Sequence, residues 1–285
     1  LLILFVIYLI RCSLEEKKLW RNLKKSLTEN YGKPSTKKYQ EGRLKTIAGH
    51  FQNKMTEDAI DAITWNDLDL DRVFQSMDFT LSAAGEESLY TMLRCPVFEE
   101  DTLKERETLI RYFMLHPDDR VTMQMLFAKI GRTGKYSIYD YIAYLDDVEQ
   151  GSNWSHYLML GLMAMAVILC FFNSGYGLLV LCVLLCINMV TYFKQKKEID
   201  PYITTFAYFI RILKVTEEFS AHPIEILKPW MEQIAAGREK FKKFRRFSSV
   251  LMQQNSMSGN PIDVVMDYLR MGLHVNLIKF NTMLR

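Results

Sequence analysis

Residues 154–193 read WSHYLMLGLMAMAVILCFF (154–172), NSGYG (173–177) and LLVLCVLLCINMVTYF (178–193), without a single Lys, Arg, Asp or Glu. Counted with its interfacial residues, each arm is about 19 residues long, close to the ~20 that a spanning helix needs. The Asn-Ser-Gly-Tyr-Gly interval has turn composition and is too short for anything but antiparallel arms, so the stretch predicts a helical hairpin. Trp154, Tyr157, Tyr176, Tyr192 and Phe193 stand at the arm ends, where aromatic belts belong. Helices that are apolar all round are buried in a large core or in lipid. A chain of 285 residues cannot easily surround two of them, so the expectation is a transmembrane hairpin rather than the centre of a soluble core.

Charge gives the orientation. Lys194, Lys196 and Lys197 follow the second arm directly, and the turn carries no charge. Positive flanks stay in the cytosol, so both ends of the hairpin are expected inside and the turn outside. Residues 1–10, LLILFVIYLI, are too short to span, and Arg11, Lys17, Lys18, Arg21, Lys24 and Lys25 come next. They read as the end of an N-terminal transmembrane helix with a basic cytosolic flank. A signal peptide would place its charge before the apolar run and a small-residue cleavage site after it. The chain begins at Leu1 without a methionine and stops at Arg285 within a helical pattern, so both ends are expected to lie inside a longer protein. The expected location is the cell membrane, multi-pass, with the soluble parts in the cytoplasm and membrane lipid as a partner.

The rest of the chain is ordinary on average, with 49% hydrophobic and 24% charged residues and a net charge of +3. The average hides a basic segment: residues 11–54 carry twelve Lys/Arg against four Asp/Glu. Cys12, Cys95, Cys170, Cys182 and Cys186 show no zinc or redox spacing and are expected to be free thiols in a reducing compartment.

Leu14, Leu19, Leu23 and Leu27 recur at helical spacing and predict a basic helix over 14–30, broken at Gly32-Lys33-Pro34. Residues 36–64 read as one or two short helices. Ser82 followed by Gly85 starts a helix through Arg94 that Pro96 stops, and Thr102 with Glu105 has the spacing of a capping box. His116-Pro117 ends that helix, and Gly131 and Gly134 punctuate the helical stretch 118–150. After the hairpin, Pro201 is expected to open an amphipathic helix with Ile203, Phe206, Phe209, Ile210, Leu213 and Phe219 on one face. Pro229 lies in the first turn of another helix, and Asn260-Pro261 opens the last. No strand alternates convincingly. The fold class is all-α, with the segments 1–10, 11–64, 65–150, 154–193 and 194–285.

The run MDFTLSAAGEESLYTMLRCPVFEEDTLKERETLI (77–110) resembles the start of the core domain of the MutS family of DNA mismatch-repair ATPases. The family pattern falls, without a gap, on Asp78, Thr80, Ser82, Gly85, Leu89, Leu93, Pro96 and Arg106. The resemblance extends over 65–150 and, more weakly, 200–285. It implies a membrane-anchored MutS-like protein of which this chain is the anchor plus a helical core and lever region. An ATPase domain, with ATP and Mg and a dimer interface, would lie beyond Arg285, and DNA would be a ligand. Three departures stand out. Too few soluble residues precede the core to make the family's mismatch-wedge domain, and Phe98-Glu99-Glu100 matches the wedge motif in letters only. The apolar hairpin takes the place of the DNA clamp. No phosphate-binding loop is present: residues 131–137, GRTGKYS, come nearest and have the wrong glycine spacing.

Residues 237–247, GREKFKKFRRF, interleave Arg238, Lys240, Lys242, Lys243, Arg245 and Arg246 with Phe241, Phe244 and Phe247. They are the nucleic-acid contact candidates, since phosphate contact is made by Lys and Arg. The competing reading is a helix with its Phe face in the core and its basic face in water. No catalytic residue, metal site or cofactor site is expected in this chain. His50, His116, His156, His222 and His274 have no ligand-spaced neighbours, and Asp67, Asp69 and Asp71 lack the glycine and terminal glutamate of a calcium loop. The alternative function is a non-enzymatic membrane scaffold whose helical cytosolic part binds a protein.

Overall fold

A computed structural model describes residues 2–39, 42–53, 55, 58–133, 137, 139, 152–241 and 272–283. Every regular element among them is helical: α1 (Leu2–Glu29), α2 (Arg43–Ile47), α3 (Gly49–Asn53), α4 (Ala62–Asp67), α5 (Leu70–Met77), α6 (Ala83–Arg94), α7 (Glu100–Leu115), α8 (Pro117–Ile130), α9 (Trp154–Phe172), α10 (Ser174–Ala221), a 3₁₀ turn (Glu225–Leu227), α11 (Lys228–Lys240) and α12 (Val275–Met283). The chain divides into two compact units. One comprises 16–145 with 205–243, the other 1–15, 146–204 and 244–285. The first unit is therefore assembled from sequence on both sides of the hairpin.

Local chemistry sets most boundaries. Ser82 is extended and its Oγ accepts the Gly85 N–H at 3.1 Å, which caps α6. Pro96 disfavours helix at the residue before it, and Cys95 leaves the helical region. Pro117 takes the first position of α8, where its missing N–H costs nothing. Gly131 ends α8 with φ 68°, a left-handed value that suits glycine.

Several boundaries differ from expectation. Residues 2–29 form one helix, so the apolar start and the basic flank are continuous. α7 is not opened by a Thr102–Glu105 box. Its cap position is Glu99, because the extended run after Pro96 ends there, and the Thr102 hydroxyl donates to Glu99 Oε2 at 3.1 Å. The hairpin turn is Asn173 alone: its C=O and Oδ1 accept the N–H groups of Gly177 (2.9 Å) and Tyr176 (3.3 Å), so the second arm is already helical from Ser174. Pro201 lies inside the 48-residue α10 rather than at its start. A proline there removes one intrahelical hydrogen bond, and the helical pattern on both sides carries the chain through it. Asn260-Pro261 lies outside the described residues.

Two cores sit in the first unit. Ile47, Phe51, Trp65, Phe74 and Tyr90 form one, from α2 to α6. Ala83, Met123, Leu126, Ile130, Tyr208, Val215, Phe219 and Ile224 form the other, between α6, α8 and α10. The hairpin arms are the described helices long and apolar enough to cross a membrane, Trp154–Phe172 and Ser174–Gln195, with few of their side chains buried.

Candidate functional site

The motif residues converge on the first turn of α6. A helix start leaves four N–H groups without intrahelical partners, and here three separate segments supply acceptors. Gly131 C=O takes the Ala83 N–H at 3.0 Å, the Tyr208 hydroxyl takes the Ala84 N–H at 3.0 Å, and Ser82 takes the Gly85 and Glu86 N–H groups through its Oγ and C=O at 3.1 Å each. Tyr208 is fully buried, and Ser82 also bonds its hydroxyl. The turn before α6, the end of α8 and the middle of α10 therefore meet at one point. A Cβ on Gly85 would lie 3.0 Å from Ser82 Oγ and 3.2 Å from Thr80 Cβ, which accounts for glycine there.

Beneath this start lies a row of buried charges. Asp78 is completely buried and receives four donors: Thr80 N–H (2.8 Å), the Thr80 hydroxyl (2.5 Å), Lys37 Nζ (2.8 Å) and the Tyr39 hydroxyl. Lys37 also donates to Thr80 C=O at 2.5 Å. Glu86, buried on the core face of α6, pairs with Arg43 and with Arg132 Nε at 2.7 Å. Arg132 in turn donates to Thr80 C=O at 2.7 Å, and Arg211 donates to Arg132 C=O at 3.3 Å. Glu87, also buried, accepts from Ser137 at 3.1 Å.

Burial alone would raise the Asp78 carboxyl, but the donors from Lys37, Thr80 and Tyr39 outweigh it and hold its pKa below the ordinary carboxylate value. Burial lowers Lys37 despite the pull of Asp78 in the other direction. Four donors converge on the carboxylate and keep it ionised, and the Lys37 side chain keeps 22% exposure and part of its hydration. Burial, and then the bond to Asp78, push Tyr39 far up, so its hydroxyl remains a donor. Asp78 and Glu86 each have charged partners, and the arrangement's chemistry is that of a joint that holds three segments in register.

Beside the joint runs a groove of about 650 Å³, lined by Phe79, Phe127, Tyr208, Phe219, Trp230 and Met231 among others, with no charged residue in its wall. Gln124 Oε1 is buried there without a hydrogen-bond partner.

The second unit contains a polar cluster of its own. His156 Nδ1 lies 2.9 Å from His274 Nδ1, and His274 Nε2 lies 2.9 Å from Asn188 C=O. Asn188 Nδ2 donates to Gly272 C=O, and Tyr192 sits 5.8 Å from the His274 ring.

The predicted residues separate accordingly. Asp78, Thr80, Ser82 and Gly85 build the joint. Leu89 and Leu93 pack against the first core, Pro96 stops α6, and Arg106 lies half-buried in α7 away from the joint. Arg238 and Lys240 are at the end of α11, which stops at Lys240; Lys242, Lys243, Arg245 and Arg246 lie outside the described residues. Phe241 reaches Phe209 at 5.3 Å. Asp71 accepts the Trp65 indole N–H at 2.8 Å, Asp69 has a left-handed φ of 49°, and Phe98 is 78% exposed. Among the described residues no group of three or more His, Cys, Asp or Glu could hold a metal. Gly131, the first glycine of the phosphate-loop lookalike, uses its N–H and C=O to close α8 and start α6, so they are not offered to a phosphate.

Lys37, Tyr39, Arg43, Glu86 and Arg132 are joint residues that motif reading missed. Ala83, Glu86, Glu87 and Tyr90 share the buried face of α6, and two acids on an apolar helical stripe are the signal that could have found them. No protein-family model, curated protein or solved structure matches this chain.

Proposed function

We propose that this chain is the membrane anchor and non-catalytic core-and-lever portion of a MutS-like, DNA-binding ATPase of mismatch-repair type, whose nucleotide-binding domain lies C-terminal to Arg285. The observation that carries the reading is the joint at α6. Of the residues that gave the resemblance, Ser82 bonds the Tyr208 hydroxyl of α10, which also takes the Ala84 N–H, while Asp78, Thr80 and Gly85 shape the turn beside it; α10 is the lever-like helix. Such a joint is what a core needs in order to pass a nucleotide-driven movement along a long helix. No catalytic step is assigned to this chain; ATP and Mg belong to the proposed nucleotide-binding domain. α9 and the first part of α10 are the anchor, with Asn173 outside and Lys194 in the cytosol, and Arg238 and Lys240 are the described candidates for phosphate contact.

Two measurements test this. The reading frame continued past Arg285 is expected to encode a phosphate-binding loop; a stop codon soon after it removes the ATPase. DNA binding by the full chain is expected to fall steeply with salt. Arg238→Glu with Lys240→Glu is then expected to reduce the slope of log K against log salt by about 1.8 if both residues neutralise phosphates. An unchanged slope removes them from the DNA surface. The second reading, a membrane scaffold that holds a protein partner, is favoured by the uncharged groove beside the joint. It predicts no DNA affinity at any salt concentration.

A further inference from the structure

An apolar hairpin in lipid has little tolerance for side chains that need hydrogen bonds, because hydrocarbon supplies none. This hairpin has a stripe of three, with Asn153 and His156 at the start of α9 and Asn188 within α10. Each finds its partner on residues 272–283. Asn153 Nδ2 donates to Ile278 C=O (3.2 Å) and Thr282 Oγ1 (3.1 Å), and Asn281 Nδ2 donates to Asn153 Oδ1 (3.0 Å). His156 meets His274, and Asn188 meets Gly272 and His274. Asn188 Oδ1 is buried without a partner among the described residues.

One proton position follows from its acceptor. A backbone carbonyl only accepts, so His274 Nε2 carries the proton toward Asn188 C=O. The remaining bond joins His274 Nδ1 to His156 Nδ1, one nitrogen donating and the other accepting. His274 holds a left-handed backbone (φ 52°), which costs a non-glycine residue about 1 kcal/mol and persists only where surroundings demand it. Its ring, bonded through both nitrogens, supplies that demand.

The depths agree. Asn188 lies five residues before Phe193, where the apolar run meets Lys194, and so about 7.5 Å inside the run at 1.5 Å per residue. Asn188 Nδ2 also lies 3.4 Å from Met163 Sδ, nine residues and roughly 14 Å in from Trp154. From Val275 to Thr282, α12 climbs about 10 Å, which brings Thr282 back to Asn153 at the mouth of the run.

We propose that residues 272–283 form a third membrane-embedded element, entering the lipid beside the hairpin, satisfying its polar stripe and turning Leu273 toward acyl chains. The proposal rests on the membrane reading of the hairpin. It means that residues 272–283 belong with the hairpin in lipid.

The test uses the full chain in lipid bilayers, freed of its five cysteines, with single nitroxide-labelled cysteines read by collision with oxygen (lipid-soluble) and a nickel chelate (water-soluble). Leu273→Cys replaces a residue that is 40% exposed, Met165→Cys reports the hairpin from a 66% exposed site, and Lys104→Cys reports water. Val275→Cys is a second position on the segment. The expected result is loss of nickel broadening at 273 and 275, with oxygen broadening retained at 273 as at 165. If 165 is protected and 273 is reached by nickel as readily as 104, the segment is outside the lipid and the proposal falls while the hairpin reading stands. Protection of 273 from both reagents overturns it too, since the site would then be inside protein. Nickel access at 165 removes the membrane reading and the proposal with it.

Discussion

Replacing Asp78 with alanine tests the joint directly. The substitution removes the carboxylate that four donors share and leaves Lys37 with Thr80 C=O as its remaining partner. Taking one partner from a buried ion pair costs about 3–5 kcal/mol. Lys37 keeps 22% side-chain exposure, so partial hydration places the cost near the lower limit. The Tyr39 and Thr80 hydroxyls also lose an acceptor, and an unsatisfied buried hydroxyl adds roughly 1 kcal/mol where water does not reach it. The total is about 3–4 kcal/mol, and 3 kcal/mol corresponds to roughly a 150-fold change in an equilibrium constant.

Hydrogen exchange of the α6 amides, measured by mass spectrometry on the full chain in lipid nanodiscs, reads this quantity as lost protection. Asp78→Asn keeps the shape and one acceptor, and is expected to cost about half as much because only the ionic part is removed. The decisive comparison adds Lys37→Met to Asp78→Ala. If the damage comes from a stranded ammonium, the double variant is more protected than the sum of the singles predicts, by about 1 kcal/mol or more. A less than fivefold fall in protection for Asp78→Ala, or strict additivity in the double variant, refutes the reasoning.

Acid should act on the same group. A carboxyl whose folded pKa is depressed stabilises the fold above its unfolded value of about 3.9, and that stability is lost as pH falls through the folded value; the acid limb of an unfolding titration should therefore flatten in Asp78→Ala. Gly85→Ala is expected to destabilise by about 1 kcal/mol through displacement of the Ser82 cap. Gly237→Ala, in open space within α11, should stabilise by a similar amount, and matched urea midpoints check the opposite signs. Phe74→Ala, at a fully buried ring set against Tyr39 and Tyr90, should cost about 3–5 kcal/mol by the same assay, whereas the neighbouring exposed Val73→Ala should stay within about 0.5 kcal/mol.

Local signals were legible in the sequence wherever one residue determines the backbone of its neighbours. Ser82 before Gly85, Pro96, Pro117 and Gly131 marked boundaries that the structure keeps. The hairpin was legible because 40 residues without a charge allow few readings. Pro201 misled because the rule for an interior proline states a cost, and a helical pattern continuing on both sides outweighs one lost hydrogen bond. Long-range partners were out of reach. Tyr208 lies 124 residues from Ala84 and His274 lies 118 from His156, whereas spacing rules see only three or four residues along a helix. The four N–H groups at the start of α6 were bound to need acceptors, but nothing local could say that one of them would be a tyrosine beyond the hairpin.

The position of that tyrosine bears on why the hairpin can interrupt the core. Residues 205–243 complete the first unit through Tyr208, Arg211, Val215 and Phe219, all on α10 after its apolar arm. Because α10 runs unbroken from Ser174 to Ala221, one helix carries both the second apolar arm and the residues that close the joint. Continuity through Pro201 places the second apolar arm and Tyr208 on one helix. A Gly-Gly pair replacing Glu198 and Ile199 should lower helix stability there by about 1 kcal/mol while leaving each unit folded. The joint's own hydrogen-exchange protection should then be unchanged. If the α6 amides lose protection as well, the joint depends on the helix upstream of Tyr208, and its independence is refuted.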